Sequence, residues 1–210
     1  MSLSVRGVSH SYRTGGQVLS GVSFKVEPGT AVALMGPSGS GKTTLLSIIG
    51  GLFDPSEGSV DFGPDSTEEG RAVAWVFQTT NLLPRRTVRD NVAFGLLQNG
   101  LTLKQTRGPA ERTLGLVGLE GHATRRAGSL SGGEAQRAGI ARALLSGAPW
   151  LLADEPTGQL DQSTSLSVAG VLRRATEAGT GVVVATHDRT IAEVCDRVMH
   201  LVDGHLVENR

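Results

Sequence analysis

Short apolar runs alternate with stretches of helical periodicity along most of the chain. The apolar runs predict strands at 31–35, 72–77, 150–153 and 181–185, and the periodic stretches predict helices at 42–49, 133–145 and 163–178. Strands that are buried on both faces read as continuous apolar runs, as the valines of 181–185 do. We therefore expect an α/β fold with a mainly parallel core sheet covered by helices on both faces.

The two ends of the chain have an antiparallel pattern. Residues 3–12 and 18–26 read as β segments joined by a Gly15-Gly16 turn. Near the C-terminus, Asp203-Gly204 separates two apolar segments, which is a strong hairpin signal. The N-terminal segments are expected to form a small antiparallel β subdomain beside the core sheet.

Strand signals disappear between residues 88 and 128, and helical ones replace them. Pro109 suits the first turn of a helix, with Glu111 near its N-terminus. The apolar side of that predicted helix is formed by Leu114, Leu116 and Val117. We expect an α-helical subdomain at about 88–128, inserted into a single domain that spans residues 1–210.

Composition narrows the classes of function. The 210 residues carry 20 basic and 20 acidic side chains, for a formal net charge of zero. This balance argues against electrostatic binding to nucleic acid or to anionic lipid. The single cysteine, Cys195, excludes an intrachain disulfide. No signal peptide and no apolar window long enough to span a bilayer is found, so a cytoplasmic protein is expected.

The most specific motif is a phosphate-binding loop (P-loop). The residues Gly36, Pro37, Ser38, Gly39, Ser40, Gly41, Lys42 and Thr43 match the pattern G-x-x-x-x-G-K-[ST] at every position. The loop follows an apolar strand and opens a helix, so its backbone N–H groups can point at phosphate oxygens. Lys42 is expected to reach the β- and γ-phosphates, Thr43 to bind Mg²⁺, and Thr44 to complete the nucleotide-binding set. A chance glycine-rich turn is the weaker alternative.

Two carboxylates follow the predicted strand at 150–153. Asp154 suits Mg²⁺, directly or through water, and Glu155 suits a general base that polarises an attacking water. A solvated acidic pair at a strand end is the alternative interpretation of these residues.

Three other polar residues follow strands in a similar way. His187 follows the valine-rich strand, where it could contact the γ-phosphate. Gln78 follows Val76-Phe77 and offers an amide to Mg²⁺ or to the attacking water. Tyr12 ends the first strand and is a candidate to stack on adenine. Structural roles, core packing for Tyr12 among them, remain open for all three.

A second candidate anion site opens the predicted helix at 133–145. Ser131 is a good N-cap residue, and Gly132 and Gly133 leave their backbone N–H groups unobstructed before Glu134. One chain rarely needs two cradles for one γ-phosphate, whereas two chains facing head to tail would use both. An ordinary capped helix is the alternative.

Together these motifs resemble the ATP-binding cassette family, the nucleotide-binding subunits of ABC transporters. Residues 36–43 are similar to the Walker A motif, 130–134 to the signature motif and 150–155 to the Walker B motif. Four single residues also have counterparts in the family. Tyr12 is similar to the aromatic A-loop residue, Gln78 to the Q-loop glutamine, Asp161 to the D-loop aspartate and His187 to the switch histidine. The resemblance covers essentially the whole chain. It implies ATP and Mg²⁺ as cofactors, catalytic roles for Glu155, His187 and Gln78, and nucleotide contacts from Tyr12, 131–134 and Asp161.

The resemblance extends to one branch of the family. Residues 47–52, 76–84 and 154–161 are similar to ATPases of macrolide export and lipoprotein release. That branch implies a second ATP-binding subunit, a separate transmembrane permease that holds this chain at the inner face of the membrane, and export or extracytoplasmic work rather than import. Glu134 replaces the usual Gln of the signature and Gln159 the usual Asn, and neither change removes a catalytic group.

Other ATPase classes fit the sequence less well. DNA-acting members of the family carry long coiled coils between Gln78 and the signature, and ribosome-associated members carry two cassettes, whereas this chain has one P-loop and one signature. A small P-loop kinase has no use for residues 130–134.

Leu82 and Leu83, in the loop after Gln78, are either folded under the helical subdomain or exposed to dock the permease.

Overall fold

The structure is a computed structural model that describes residues 2–13, 15–63, 73–158 and 160–208. Its strands are β1 (Leu3–Ser11), β2 (Gln17–Val26), β3 (Ala31–Met35), β4 (Glu57–Asp61), β5 (Val73–Val76), β6 (Trp150–Asp154), β7 (Gly181–Ala185), β8 (Arg197–Val202) and β9 (His205–Glu208). Its helices are α1 (Lys42–Ile49), α2 (Val88–Val92), α3 (Phe94–Gln98), α4 (Leu103–Leu116), α5 (Gly132–Leu145), α6 (Gln162–Glu177) and α7 (Arg189–Glu193), with a 3₁₀ turn at Ala127–Ser129.

The core sheet has the strand order β5-β6-β7-β3-β8-β9. The first five strands pair in parallel, and β9 adds an antiparallel edge through the β8–β9 hairpin. Leu34 pairs with Ala185, and Ala185 is also the partner of Asp154. The carboxyl ends of β3, β7 and β6 therefore lie side by side at one edge of the sheet.

Side chains of the central strands alternate between two hydrophobic cores. In β3, Ala31 and Ala33 pack into the core beneath α5 and α6, whereas Val32 and Leu34 pack into the core with α1 and the N-terminal sheet. Successive strand residues point to opposite faces, so an uninterrupted apolar sequence is what a doubly covered strand requires. The expected α/β fold with a mainly parallel core sheet is confirmed.

The small sheet has the order β2-β1-β4, with both pairs antiparallel. Its inward residues include Leu3, Val8 and Leu19, which are fully buried against α1 and the core sheet. The expected N-terminal antiparallel sheet is thus present, with β4 as a third strand that the sequence pattern did not predict. Residue 72, the first of the strand expected at 72–77, lies outside the described residues, and β5 ends at Val76.

The segment after Arg86 is helical, but the expected helix is placed wrongly in it. α4 begins at Leu103, where Thr102 and Gln105 form a capping box, so Pro109 lies inside the helix rather than in its first turn. Leu114 and Val117 are buried as expected, whereas Leu116 is 53% exposed and does not face the core. The start of α4 is set by the cap at Thr102, which satisfies an otherwise unpaired backbone N–H.

Candidate functional site

The P-loop, the acidic strand end and His187 meet at the carboxyl edge of the core sheet. The P-loop joins β3 to α1, Asp154 ends β6, and His187 follows β7. A cleft of about 290 Å³, which we call the nucleotide cleft, is lined by Val18, Ser38, Gly39, Gly41, Lys42, Thr43, Thr44 and Glu155. Ligands of parallel α/β sheets bind at this edge, so the topology brings these residues together where such a ligand would lie.

Lys42 is held inside the loop that it serves. Its Nζ donates to the carbonyl oxygens of Gly36 at 2.8 Å and Pro37 at 3.1 Å. Two of the three ammonium donors are therefore used by the loop, and one remains for a ligand. The Ser40 hydroxyl in the same loop is buried without a hydrogen-bond partner among the described residues. A buried lysine and an unpaired hydroxyl in one backbone cradle fit an anionic phosphate.

Glycines are required in this loop because other backbone approaches it closely. A Cβ on Gly36 would overlap the carbonyl oxygen of Leu201 in β8. A Cβ on Gly41, whose φ of 101° favours glycine, would lie 2.9 Å from the carbonyl oxygen of Val18. The loop is thus fixed by the packing of β2 and β8 against it.

Thr43 and Asp154 bring a hydroxyl and a carboxylate together at the end of β6. Thr43 Oγ1 donates to Asp154 Oδ1 at 3.2 Å. Burial, and the nearby Glu155 carboxylate, raise the pKa of Asp154, while the Thr43 hydrogen bond opposes the shift. The described residues include no cluster of three or more His, Cys, Asp or Glu side chains that could hold a metal alone. One hydroxyl, one carboxylate and substrate phosphates are a typical Mg²⁺ environment, so these residues fit that ion.

Glu155 sits in a strained position and contacts His187. Its φ of 46° lies in the left-handed region, which costs a non-glycine residue about 1–3 kcal/mol. Its Oε2 lies 2.8 Å from His187 Nδ1 and accepts from the His187 backbone N–H at 3.3 Å. The carboxylate is thus shielded and oriented by the residue that follows β7, while the His187 side chain itself is 69% exposed.

Gln78 lies in a neighbouring pocket rather than in the nucleotide cleft. That pocket is lined by Gln78, Thr79, Thr80, Gly132, Gln136, Pro156 and Leu160. The Gln78 amide nitrogen packs over Gly158, where a Cβ would approach it to 3.1 Å. Gln136 of α5 donates to the Phe77 carbonyl at 3.1 Å and so fixes the backbone just before Gln78.

The signature segment, residues 130–134, is also separate from the nucleotide cleft. Ser131 caps α5: its Oγ accepts from the Glu134 N–H at 3.2 Å, and Glu134 Oε2 accepts from the Ser131 N–H at 2.8 Å. The Ser131 N–H and the cations of Arg125 and His122 outweigh burial and hold the pKa of Glu134 below its usual range. Gly133 packs closely against Thr164 of α6, where a side chain would overlap it. None of these residues lines the cleft of its own chain.

Asp161 and Tyr12 each make local contacts. Asp161 is the N-cap of α6 and accepts from Ser163 and Thr164, whose hydrogen bonds lower the pKa of its carboxyl group. Tyr12 is 46% exposed, so it is not a core residue. Its hydroxyl lies 3.1 Å from Thr44 Oγ1, and its ring contacts His10 and Phe53. Both residues lie outside the lining of the nucleotide cleft.

Several residues that support the site were not expected from the sequence. Val18 lines the nucleotide cleft, although it belongs to the small sheet. Arg142 of α5 donates to the Asn81 carbonyl at 2.8 Å, and buried Asn91 binds the backbone of Leu83. The spacing of helix α5 carries no signal for the Arg142 contact, because its partner is 61 residues away in sequence. Gln159 lies outside the described residues.

The loop after Gln78 holds its two leucines in different environments. Leu82 is half-buried against the core, whereas Leu83 is 47% exposed. Leu83 lines an apolar groove with Arg86, Asp90, Phe94, Leu97, Gln98 and Leu103, which we call the lobe groove. Across the described ranges, no helix has the length and apolar character needed to cross a bilayer.

The chain is similar to proteins of one family along almost its whole length. Residues 19–158 match the family model described as ABC transporter. The lipoprotein-releasing system ATP-binding protein LolD of Hyphomonas neptunium is 40% identical, with 98% of this chain and 96% of that protein covered. The macrolide export ATP-binding/permease protein MacB of Marinobacter nauticus is 41% identical over 91% of this chain. The chain spans about a third of the length of such MacB proteins, 31% in that case.

Solved structures agree with this relationship. A dimeric structure of the ATP-binding cassette MJ0796, in a post-hydrolysis state bound to ADP and Pi, is 34% identical and superposes with a TM-score of 0.85 over 99% of both chains. CbiO1 of Clostridium perfringens, part of an ABC transporter complex, is 27% identical with a TM-score of 0.88, covering 98% of this chain and 86% of that one. The chain therefore belongs to the ABC transporter family and is an ATP-binding ABC-type ATPase.

Proposed function

We propose that this chain is the ATP-hydrolysing subunit of a membrane complex, and that two copies close head to tail over ATP. The observation that carries the proposal is the separation of two phosphate-binding elements. The P-loop lines the nucleotide cleft, whereas the capped Ser131 segment with its two glycine N–H groups lies outside it. A second copy, turned head to tail, supplies its Ser131 segment to this cleft. The dimeric state of the related cassette MJ0796 supports this arrangement.

Glu155 is the proposed general base for hydrolysis. Its carboxylate stands at the end of β6, oriented by the His187 N–H and imidazole, and takes the proton of the water that attacks the γ-phosphorus. A well-placed general base contributes about 10²–10⁴-fold to the rate. Lys42 binds the phosphate oxygens, and His187 can move from Glu155 to the γ-phosphate because its side chain is largely exposed.

Thr43 and Asp154 are the proposed Mg²⁺ ligands, with Gln78 reaching the ion or the attacking water from its adjacent pocket. When bound, Mg²⁺ supplies positive charge that stabilises the phosphate oxygens during transfer. Tyr12, next to Thr44, is the proposed platform for the adenine ring. Asp161 is proposed to shape the loop that meets the opposite copy.

The proposed membrane partner is a separate permease that docks in the lobe groove. Leu83, Phe94, Leu97 and Leu103 give this groove an apolar wall, while Arg86 and Asp90 offer opposite charges. Gln136 and Arg142 of α5 bind the backbone at Phe77 and Asn81, so Gln78 and the Leu83 loop share one support. A change at the phosphate site can therefore move the docked partner. The LolD and MacB relatives favour lipoprotein release or export as the work performed.

Intersubunit complementation tests the head-to-tail arrangement. Ser131→Arg and Lys42→Ala chains are each expected to lack ATPase activity, because each homodimer lacks one half of both composite sites. A mixture forms hybrid dimers in which one site has an intact Lys42 and an intact Ser131, so activity should partly return. No recovery in the mixture, with both chains folded and the Ser131→Arg monomer still binding ATP, would mean that each site is built from one chain.

A second test addresses the lobe groove. Leu83→Asp is expected to abolish assembly with the permease and its stimulation of ATPase activity, while basal ATPase activity stays unchanged. Leu52→Asp is the matched control, because Leu52 is also an exposed leucine but lies outside the groove. Equal assembly of both variants with the permease would rule out this docking site.

A further inference from the structure

Glu134 places a negative charge where the proposed function needs a phosphate. It is the third residue of α5, at the end of the segment that would receive the γ-phosphate of the opposite copy. An unbalanced carboxylate there would repel that phosphate through Coulomb interaction. The contacts of Glu134 show how this charge is balanced.

The two carboxylate oxygens of Glu134 have separate partners. Oε2 accepts from the Ser131 backbone N–H at 2.8 Å. Oε1 accepts from Arg125 at 3.3 Å and from His122 Nε2 at 3.1 Å. Arg125 and His122 both come from the chain segment between α4 and α5, and the three side chains are each no more than 39% exposed. The carboxylate thus joins the signature segment to the C-terminal end of the helical subdomain.

His122 adds a hydrogen bond to the same carboxylate. Its Nδ1 lies 3.2 Å from the Glu120 carbonyl oxygen, and its Nε2 lies 3.1 Å from Glu134 Oε1. An ionised carboxylate can only accept, so Nε2 is the donor of this bond, and the Arg125 guanidinium supplies the positive charge that balances Glu134. Arg125 also donates to the Ser129 carbonyl at 2.8 Å, so the same guanidinium supports the backbone two residues before Ser131.

We propose that Glu134, Arg125 and His122 form a charge-balanced clamp in which Glu134 is a positioning residue for the signature segment. Glu134 holds the Ser131 N–H in place, the Arg125 guanidinium keeps its charge from opposing the incoming phosphate, and His122 donates a further hydrogen bond to it. The inference rests on the proposed head-to-tail function, since the segment meets a phosphate only in the closed dimer. It also gives a reason for Glu at this position, because an amide has one acceptor oxygen, so its NH₂ group would face either the Ser131 N–H or the donors of Arg125 and His122.

The clamp predicts that substitutions at Arg125 and Glu134 have effects on the KM for ATP that partly cancel in the double variant. Arg125→Met leaves the Glu134 carboxylate undercompensated, so the KM for ATP in the ATPase assay should rise by about three- to tenfold. Glu134→Gln alone should lower kcat, because its amide NH₂ group must face either the Ser131 N–H or the donors of Arg125 and His122. Adding Glu134→Gln to Arg125→Met removes the excess negative charge, so the double variant should recover most of the KM of the parent chain.

Controls separate the clamp from a general effect on folding. Arg126→Met removes the neighbouring exposed arginine, whose side chain makes no hydrogen bond or ion pair with the described residues, and should leave KM and kcat unchanged. Equilibrium ATP binding by the monomeric variants should also be unchanged, since the P-loop is intact. Additive losses in the double variant, or an unchanged KM in Arg125→Met, would overturn the clamp.

The Ser131→Arg chain distinguishes failure of the clamp from failure of the head-to-tail site. If it is inactive and the clamp variants are merely additive, the clamp is wrong and the head-to-tail site stands. If Ser131→Arg retains full ATPase activity, the head-to-tail site is wrong, and the clamp is overturned with it because the signature segment then has no phosphate to receive.

Discussion

Asn91 anchors the loop that connects the nucleotide site to the lobe groove, and its removal should have a measurable cost. The side chain is 1% exposed. Its Oδ1 accepts from the Leu83 N–H at 2.6 Å, and its Nδ2 donates to the carbonyl oxygens of Leu83 at 3.1 Å and Thr87 at 2.9 Å. Asn91→Ala therefore leaves the Leu83 N–H without its partner and removes one of two hydrogen bonds at each carbonyl oxygen, which still accept from the backbone N–H groups of Arg86 and residue 91.

The cost follows from these three bonds. At about 1 kcal/mol for each lost hydrogen bond, Asn91→Ala should lower the free energy of unfolding by about 3 kcal/mol. For a domain of this size, about 2–4 °C of melting temperature corresponds to each kcal/mol, so Tm should fall by about 6–12 °C. Asn91→Asp should be at least as unstable, because its carboxylate would face the two carbonyl oxygens that the amide now donates to.

Urea unfolding and calorimetry without nucleotide test this reasoning. Asn99→Ala is the control, because Asn99 is exposed at the end of α3 and should change stability by less than about 0.5 kcal/mol. An Asn91→Ala chain as stable as the control, or an Asn91→Asp chain more stable than Asn91→Ala, would refute the anchoring role of this amide.

Three other changes probe the nucleotide cleft. Lys42→Ala should weaken ATP binding by at least about tenfold in calorimetric titration, since a charged hydrogen bond is worth about 1.5–3 kcal/mol, and unchanged affinity would contradict its role. Gly36→Ala should destabilise the chain by about 1–3 kcal/mol and reduce ATP affinity, because its Cβ overlaps the Leu201 carbonyl oxygen. Asp154→Asn should raise Tm without ligand at pH 7, because burial raises the pKa of Asp154 and makes its charged form costly. That gain should vanish as pH falls through the raised pKa and Asp154 becomes neutral; a gain that persists at low pH would contradict the electrostatic cause.

The sequence predicted the core sheet because its strands are buried on both faces. The valines of β7 and the apolar residues of β3 supply both hydrophobic cores, so their pattern is continuous and unambiguous. The P-loop, Asp154 and His187 could be assigned to one edge for the same reason, since each follows a parallel strand. The family that these motifs indicated is confirmed for the chain by the match of residues 19–158.

Other elements carried a weaker signal or a misleading one. β4 has a single apolar residue facing inward, Val60, and lies at the edge of a sheet, so no alternation reveals it. A proline often marks the first turn of a helix, so Pro109 suggested a start near residue 109. The capping box of Thr102 and Gln105 instead starts α4 directly after Thr102, seven residues before Pro109. The capping pattern T-x-x-Q was the available signal for that start.

The contacts around the site could not be predicted at all. Glu134 meets Arg125 and His122, and Asn91 meets Leu83, only because tertiary packing brings separate segments together. A polar residue in the sequence shows its hydrogen-bonding capacity but not its partner. The separation of the signature segment from the nucleotide cleft likewise appears only when both are placed on the folded chain.

The central claim is that two copies close over ATP and reopen when Glu155 hydrolyses it. Glu155→Gln keeps nearly the same shape and ATP contacts but cannot accept the proton of water. Size-exclusion chromatography with light scattering, in ATP and Mg²⁺, should find this variant as a stable dimer that returns to monomer when nucleotide is removed, with hydrolysis reduced by about 10²–10⁴-fold. A variant that stays monomeric while binding ATP, or that hydrolyses ATP at the parent rate, would contradict the account.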